Sequence, residues 1–156
     1  MQTLLRDLRH SDVDMIFSWR NHKEIEKWTE KGEVSRDEHW NWYYAWDRSA
    51  PRWIFELNNN PVGFIHFKWL ADAKRTLEWS YYLNPFDLNV LRANGLATIM
   101  LSMSLWKINQ MLHDVKIIGR VKLQNLPSVR LHEKLGFKEQ KCIENERRFI
   151  KWPKSL

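Results

Sequence analysis

Two periods of hydrophobic and polar residues run along this 156-residue chain, and the places where one gives way to the other predict its elements. Residues 3–9 read as a first strand. Ser11-Asp12-Val13-Asp14 predicts a helix start, a serine cap with an acidic residue three positions on, and Val13, Ile16 and Phe17 share one helical face. A second helix is expected from about Ser35 to Asp47, with His39, Trp42, Tyr43 and Trp46 on a common face. The period then drops to two. Arg52 to Leu57 predicts a strand and Asn58-Asn59-Asn60 a turn, because asparagine tolerates the left-handed backbone region. Residues 62–70 alternate Ile65, Phe67 and Trp69 against Phe64, His66 and Lys68, and Lys74-Arg75 turns the chain into a strand over 76–83.

Pro85 and Asp87 open a loop that leads into Arg92-Ala93-Asn94-Gly95-Leu96-Ala97 and then a long helix, with Leu96, Ile99, Met100, Met103 and Trp106 at helical spacing. Val115 to Val121 predicts a strand. Residues 126–135 predict a short helix closed by Gly136, and strands near 137–143 and 147–152 form a hairpin around Glu144-Asn145-Glu146. The order βααβββαβαββ predicts one domain over 1–156, an α/β (α+β) sandwich with the long helix packed on the sheet.

Composition narrows the function. With 44% hydrophobic and 28% charged residues the chain is that of a folded globular domain. No apolar run is long enough to span a bilayer, and MQTLLRDLRH lacks a signal peptide's apolar segment, so no membrane association is expected. The single cysteine, Cys142, excludes an internal disulfide and makes a reducing cytoplasm the default; in a late strand it reads as a small apolar filler. The net charge of +6 favours an anionic partner, but the basic residues are dispersed, which argues against a nucleic-acid tail. Ten tryptophans either fill the core or offer rings for a sugar or base. The histidines lack metal-ligand spacing, so no metal is expected.

The stretch Arg92 to Ala97 carries the strongest chemical signal. A glycine-containing turn at a helix mouth offers unpaired N–H groups and the positive end of the helix dipole, a place for phosphates. Its alternative is a plain helix cap. The segment Asn125-Leu-Pro-Ser128-Val-Arg-Leu131-His132-Glu133-Lys134-Leu135-Gly136-Phe137 lies about thirty residues on.

Together these two segments and the element order resemble the GNAT acetyltransferases. Arg92, Gly95 and Ala97 match the family's Gln/Arg-x-x-Gly-x-Gly/Ala loop, and the second segment resembles its Asn…Leu-Tyr-Glu-Lys-x-Gly-Phe. The resemblance implies a mixed, mostly antiparallel sheet of about seven strands flanked by helices. It further implies an acetyl-CoA-dependent N-acetyltransferase, a transferase acting by direct attack of an amine on the thioester. Phe17-Ser-Trp19-Arg20-Asn21-His22 and Glu38-His39 resemble the branch that acetylates UDP-linked amino sugars in pseudaminic acid synthesis. The alternatives are a protein N-terminal or antibiotic N-acetyltransferase, or a non-catalytic module that binds CoA or a nucleotide. A cytoplasmic monomer or homodimer with a small-molecule amine as acceptor is expected.

The resemblance also distributes roles. Arg92, Ala93, Asn94, Gly95, Leu96 and Ala97 would bind the coenzyme pyrophosphate, with Asn125 and Ser128 as further contacts; Asn125 also suits a helix N-cap. The backbone from Tyr81 through Tyr82 to Leu83 would meet the pantetheine and the thioester oxygen. Glu78 is a candidate base, against a salt-bridged sheet residue, with ordered water as the other route for the proton. His132 stands where the family has tyrosine as general acid; it would serve as acid, contact the sulfur, or sit passively in the core. Ser128, Leu131, His132 and Leu135 follow an inward-facing i, i+3, i+4, i+7 pattern. For the acceptor the candidates are Arg20, Asn21, His39, Trp42, His66 and Tyr82, with an ion pair for Arg20 and core packing for His39 and Trp42 as the alternatives.

Overall fold

The structure is a computed structural model and describes residues 1–152. Its strands are β1 (Thr3–Asp7), β2 (Arg52–Leu57), β3 (Asn60–Trp69), β4 (Thr76–Leu83), β5 (Lys116–Lys122), β6 (Lys138–Ile143) and β7 (Glu146–Lys151). Its helices are α1 (Val13–Arg20), α2 (Lys23–Glu26), α3 (Arg36–Tyr44), α4 (Leu88–Ala93), α5 (Leu96–Met111) and α6 (Leu126–Lys134). The strands follow the order β1-β2-β3-β4-β5-β7-β6 in a seven-stranded sheet. The β1–β2, β2–β3, β5–β7 and β6–β7 pairs are antiparallel and β4–β5 is parallel, so the expected mixed, mostly antiparallel sheet is present. The turns expected at Asn58-Asn59-Asn60 and Lys74-Arg75 are present too: Asn58 and Asn59 take φ of 48° and 65°, Asn60 already opens β3, and Arg75 takes 47°.

Four local expectations are corrected. Ser11 caps no helix: a 3-10 turn over His10–Asp12 precedes α1, and the Asp12 carboxylate accepts from the Arg9 amide at 2.8 Å. The segment after Pro85 is not a plain loop, since α4 occupies Leu88–Ala93. On α5 the buried stripe is Leu96, Met100, Leu101, Ser104, Leu105 and Ile108, while Trp106 is 61% exposed. A serine fits that dry face because its hydroxyl donates to the Met100 carbonyl at 2.7 Å, so a polar letter marks a buried position. Cys142 is exposed rather than a core filler.

Contacts divide the chain into two compact units, residues 1–66 with 81–97, and 67–80 with 98 onward. In the first, Leu8, Val13, Ile16, Trp19, Tyr43, Ile54 and Phe64 form a core flanked by Met15, Trp40, Trp42, Trp46 and Tyr82. Most of the aromatic excess is thus packing, with only Trp106 and Trp152 more than half exposed among the described tryptophans. Helix α3 starts where expected: Ser35 Oγ accepts from the Glu38 amide and the Glu38 carboxylate accepts from the Ser35 amide, a complete capping box. It ends at Tyr44, three residues short of the expected Asp47.

The N-terminal strand is tied down by a buried ion cluster. Arg6 donates to both Asp12 oxygens, at 2.8 and 2.9 Å, and to Glu56 at 2.5 Å. Burial works to raise the Asp12 carboxyl, yet the Arg6 guanidinium and the Arg9 amide outweigh it and hold it below its usual range. Asp12→Ala leaves Arg6 half-paired at a buried site and should cost about 3–5 kcal/mol in urea unfolding at pH 7. The Asp12 contribution is complete above the ordinary carboxylate range and is lost as pH falls through its lowered native value, so the gap between wild type and variant should narrow on acidification.

Candidate active site

Residues 92–97 form a helix–glycine–helix junction rather than a single loop. Arg92 and Ala93 close α4, the Asn94 amide donates to the Val90 carbonyl at 3.2 Å, and the Gly95 amide donates to the Arg92 carbonyl at 3.0 Å. Asn94 and Gly95 therefore already use their amides in closing α4. The amides of Leu96 and Ala97 open the sixteen-residue α5, where first-turn N–H groups have no intrahelical acceptor. Gly95 adopts φ +65°, a region side chains disfavour, and a Cβ built there meets nothing within 4 Å. The open space beside the helix mouth, with exposed Arg92, fits an anionic group such as a pyrophosphate.

In the second unit the chemistry gathers on β4, β5 and α6. The parallel ladder pairs Thr76–Trp79 with Lys116–Gly119. His132 is 1% exposed, and its two ring nitrogens are both engaged: Nδ1 lies 2.7 Å from the Ser128 carbonyl, and Nε2 lies 3.0 Å from the Trp79 indole nitrogen. A carbonyl only accepts and an indole N–H only donates, so Nδ1 carries the proton and Nε2 accepts. Burial pushes the imidazole down to about 4, and it is neutral at pH 7. Phe149 stacks on the ring at 5.1 Å and Phe137 meets its edge at 5.0 Å. Gly119 makes the contact possible, since a Cβ there would fall 2.2 Å from His132 Nε2 and 2.9 Å from the Trp79 nitrogen. Neither Trp79 nor Gly119 was predicted for this centre; a tryptophan and a glycine in adjacent strands carry no pairing signal until the register is known.

Asn125 caps α6, its side-chain oxygen accepting from the Ser128 amide at 3.4 Å. Ser128 is engaged through both its amide and its carbonyl. Glu78 is buried and salt-bridged: its two oxygens lie 3.0 Å from Lys68 Nζ and 3.3 Å from Arg120 Nη1, and Arg120 continues to Glu146 at 3.0 Å. This is the sheet-residue arrangement that was weighed against a basic role.

The expected acceptor residues lie in the first unit, most of them already occupied. Arg20 donates to the Gly32 carbonyl at 2.8 Å, and Asn21 brackets Val34 with bonds of 2.7 and 2.9 Å, so both hold the segment between α2 and α3 in place. His39 is buried, donates from Nε2 to the Val13 carbonyl at 3.0 Å, and has its imidazole pushed down by burial. Trp42 is not an open stacking platform. His39 stacks on it at 5.1 Å, the Arg52 guanidinium carbon lies 3.8 Å from its ring centre, and Phe64 and His66 meet it edge-on at 6.0 and 5.7 Å. Tyr82 packs on Phe64 at 5.5 Å; burial pushes its hydroxyl up while the nearby Arg20 charge opposes this. Leu83 is buried. Among the described residues no three His, Cys, Asp or Glu side chains gather as for a metal, and no helix is long and apolar enough to cross a membrane.

The model of an acetyltransferase (GNAT) domain matches residues 2–138. Among solved structures, a spermidine N-acetyltransferase from Vibrio cholerae in complex with CoA and spermine is 23% identical, with a TM-score of 0.81 over 96% of this chain and 94% of that one. A putative acetyltransferase from Salmonella typhimurium with acetyl-CoA is 20% identical, with a TM-score of 0.75 over 99% and 95%. The aminoglycoside acetyltransferase AAC(6′)-Ib with coenzyme A is 18% identical, with a TM-score of 0.73 over 96% and 94%. No curated protein is similar to the chain in sequence at a significant level.

A buried, neutral imidazole makes stability depend on pH. The unfolded chain's His132 takes up a proton below about pH 6.5, whereas the native imidazole resists until about pH 4, so stability present above pH 6.5 is lost as pH falls between these values. At about 1.4 kcal/mol per unit this amounts to about 3 kcal/mol. His132→Gln should therefore destabilise strongly at pH 7 and much less, relative to wild type, at pH 4.5, as read by urea unfolding. Gly119→Ala should match His132→Gln in cost at pH 7. A variant penalty independent of pH would refute the neutral, doubly bonded imidazole.

Proposed function

Because the chain belongs to the GNAT acetyltransferase family, we propose that it moves the acetyl group of acetyl-CoA to the primary amine of a nucleotide-linked amino sugar. The observation that carries the coenzyme part is the mouth of α5, where Gly95 leaves open space beside the Leu96 and Ala97 amides. Those amides hold the pyrophosphate and Arg92 adds a diffuse positive charge. The coenzyme, when bound, supplies the activated acetyl thioester. Backbone groups of Tyr82 and Leu83 on β4 then orient the thioester oxygen. In the transfer the amine nitrogen forms a bond to the carbonyl carbon as the carbon–sulfur bond breaks. The amine loses a proton, and the sulfur leaves as thiolate.

The proton steps fall to water in this reading. Glu78 keeps both oxygens on cations, and His132 has no proton at Nε2 to give. A thiolate of reference pKa ~8.5 is a fair leaving group without an acid, so the missing tyrosine does not prevent turnover. His132 acts as a positioning residue that holds α6 against the sheet, and Asn125 and Ser128 shape the start of that helix.

The acceptor reading rests on charge. The V. cholerae relative is complexed with spermine, a polycation. Here the net charge is +6, and the first unit's aromatic cluster holds Arg52 over the Trp42 ring. Such a setting suits an acceptor whose amine is accompanied by phosphates.

Thiol release from acetyl-CoA, followed with UDP-linked amino sugars, spermidine, aminoglycosides and N-terminal peptides, tests both parts. Release with the UDP-amino sugars is the expected result. Release confined to polyamines or aminoglycosides overturns the acceptor assignment, and no release with any amine overturns the transfer itself. Gly95→Val should raise KM for acetyl-CoA by about tenfold or more, the loss of about 1.4 kcal/mol of binding, with smaller change in kcat. His132→Gln should lower kcat by far less than the ~10²–10⁴ expected of a general acid.

A further inference from the structure

Arg52, at the start of β2, is a buried cation in the first unit's aromatic cluster with no acid paired to it among the described residues. It is 8% exposed. Nη1 donates to the Trp42 carbonyl at 3.1 Å, and Nε is sealed from solvent with no acceptor, alone among buried side-chain nitrogens and oxygens of the described residues. Among the described residues no carboxylate pairs with it. Its guanidinium carbon lies 3.8 Å from the Trp42 ring centre and 5.2 Å from that of Trp46, while exposed Arg48 lies 4.0 Å from the same Trp46 ring. Across the β2–β3 ladder its partner is His66, so the neighbours on that side are aromatic or neutral as well. Burial and the like charge of Arg48 together push the guanidinium down to about 10.

A buried cation ordinarily has a counter-ion, because desolvation costs several kcal/mol that indole faces recover only in part. Compare Arg6 in the same unit, which is half-buried yet bonds to two carboxylates through three of its nitrogens. Two guanidiniums near one indole, with no acid paired to either among the described residues, have the charge that matches a phosphoryl group's oxygens. Lysine in either place would give a point charge with neither the planar fork nor the stacking.

We propose that Arg52, with Arg48 across the Trp46 ring, is a specificity-determining site for a phosphoryl group on the acceptor. The assignment deepens the nucleotide-linked reading above and rests on it for the acceptor's identity. It adds which residues select that acceptor over a neutral or polycationic amine. Arg20, the sequence-level candidate for this task, already braces the Gly32 carbonyl.

Binding separates this proposal from the activity. With the protein saturated in CoA, so that the coenzyme site is filled, UDP and inorganic pyrophosphate are titrated against the tryptophan fluorescence, with heat of binding as the second readout. Wild type should bind both, and Arg52→Gln should weaken each by about tenfold or more, in line with hydrogen bonds to a charged group worth about 1.5–3 kcal/mol. Arg48→Gln, at an exposed position, should weaken them by a smaller factor. Arg52→Lys should recover little of the loss, because a point charge lacks the stacking that holds the guanidinium on Trp42, and full recovery would overturn the role given to the guanidinium. Affinity for CoA should be unchanged in all three variants, which also shows that they are folded.

No binding of either probe to CoA-saturated wild type, or affinities in Arg48→Gln and Arg52→Gln within twofold of wild type, overturns the site. Equal weakening of succinate, tested as a carboxylate control, overturns the phosphoryl assignment. Neither outcome touches acetyl transfer, which fails only if no amine releases thiol from acetyl-CoA.

Discussion

The hydrogen bond from the Trp79 indole to His132 is the contact on which the second unit closes. It joins β4 to α6, and it demands that the strand beside β4 carry no side chain at Gly119. With Nε2 committed to accepting, Nδ1 must donate, and the carbonyl one helical turn back, on Ser128, receives it. Asn125 in turn bonds the Ser128 amide. One buried imidazole thereby specifies a tautomer, a helix start and a glycine in a neighbouring strand. Phe137 and Phe149 complete an apolar wall around it, which keeps it uncharged.

The first unit obeys the same rule at His39, whose Nε2 proton goes to the Val13 carbonyl and pins α3 to α1. It obeys it at Arg6, saturated by Asp12 and Glu56. It departs from it at Arg52. Proteins keep buried polar groups satisfied with few exceptions, and the unpaired Nε of Arg52 is the exception on which the proposed phosphoryl site rests. Buried polar side chains among the described residues thus divide into those whose partners finish the fold and Arg52, whose missing partner is the one proposed above.

Much of the architecture was legible from pattern. Strand β2 has the predicted bounds, the asparagine turn follows from the asparagines' tolerance of positive φ, and Ser35 with Glu38 spells its own helix start. The junction at Gly95 was legible as a glycine at a helix mouth, though α4 was hidden, because a six-residue helix leaves too little periodicity to read. Side-chain roles were harder. Arg20, Asn21, His39 and Trp42 were recognised as unusual, but composition cannot tell a residue that contacts a ligand from one that bonds a distant carbonyl. Each of those partners, Gly32, Val34, Val13 and the Arg52 guanidinium, is brought close only by the fold. The α5 stripe failed for a related reason, since Ser104 hides its polarity inside its own helix.

Gly119 also bears on which substitutions this unit can accept. A cavity bounded by a bare backbone and an indole N–H is cut to an imidazole, so residues 79, 119 and 132 are epistatic: the effect of changing any one depends on the other two. Replacing them one at a time passes through variants that lack a fitting partner, and only a joint replacement avoids these. The three positions thus act as one unit of sequence, and what any of them tolerates is set by the other two.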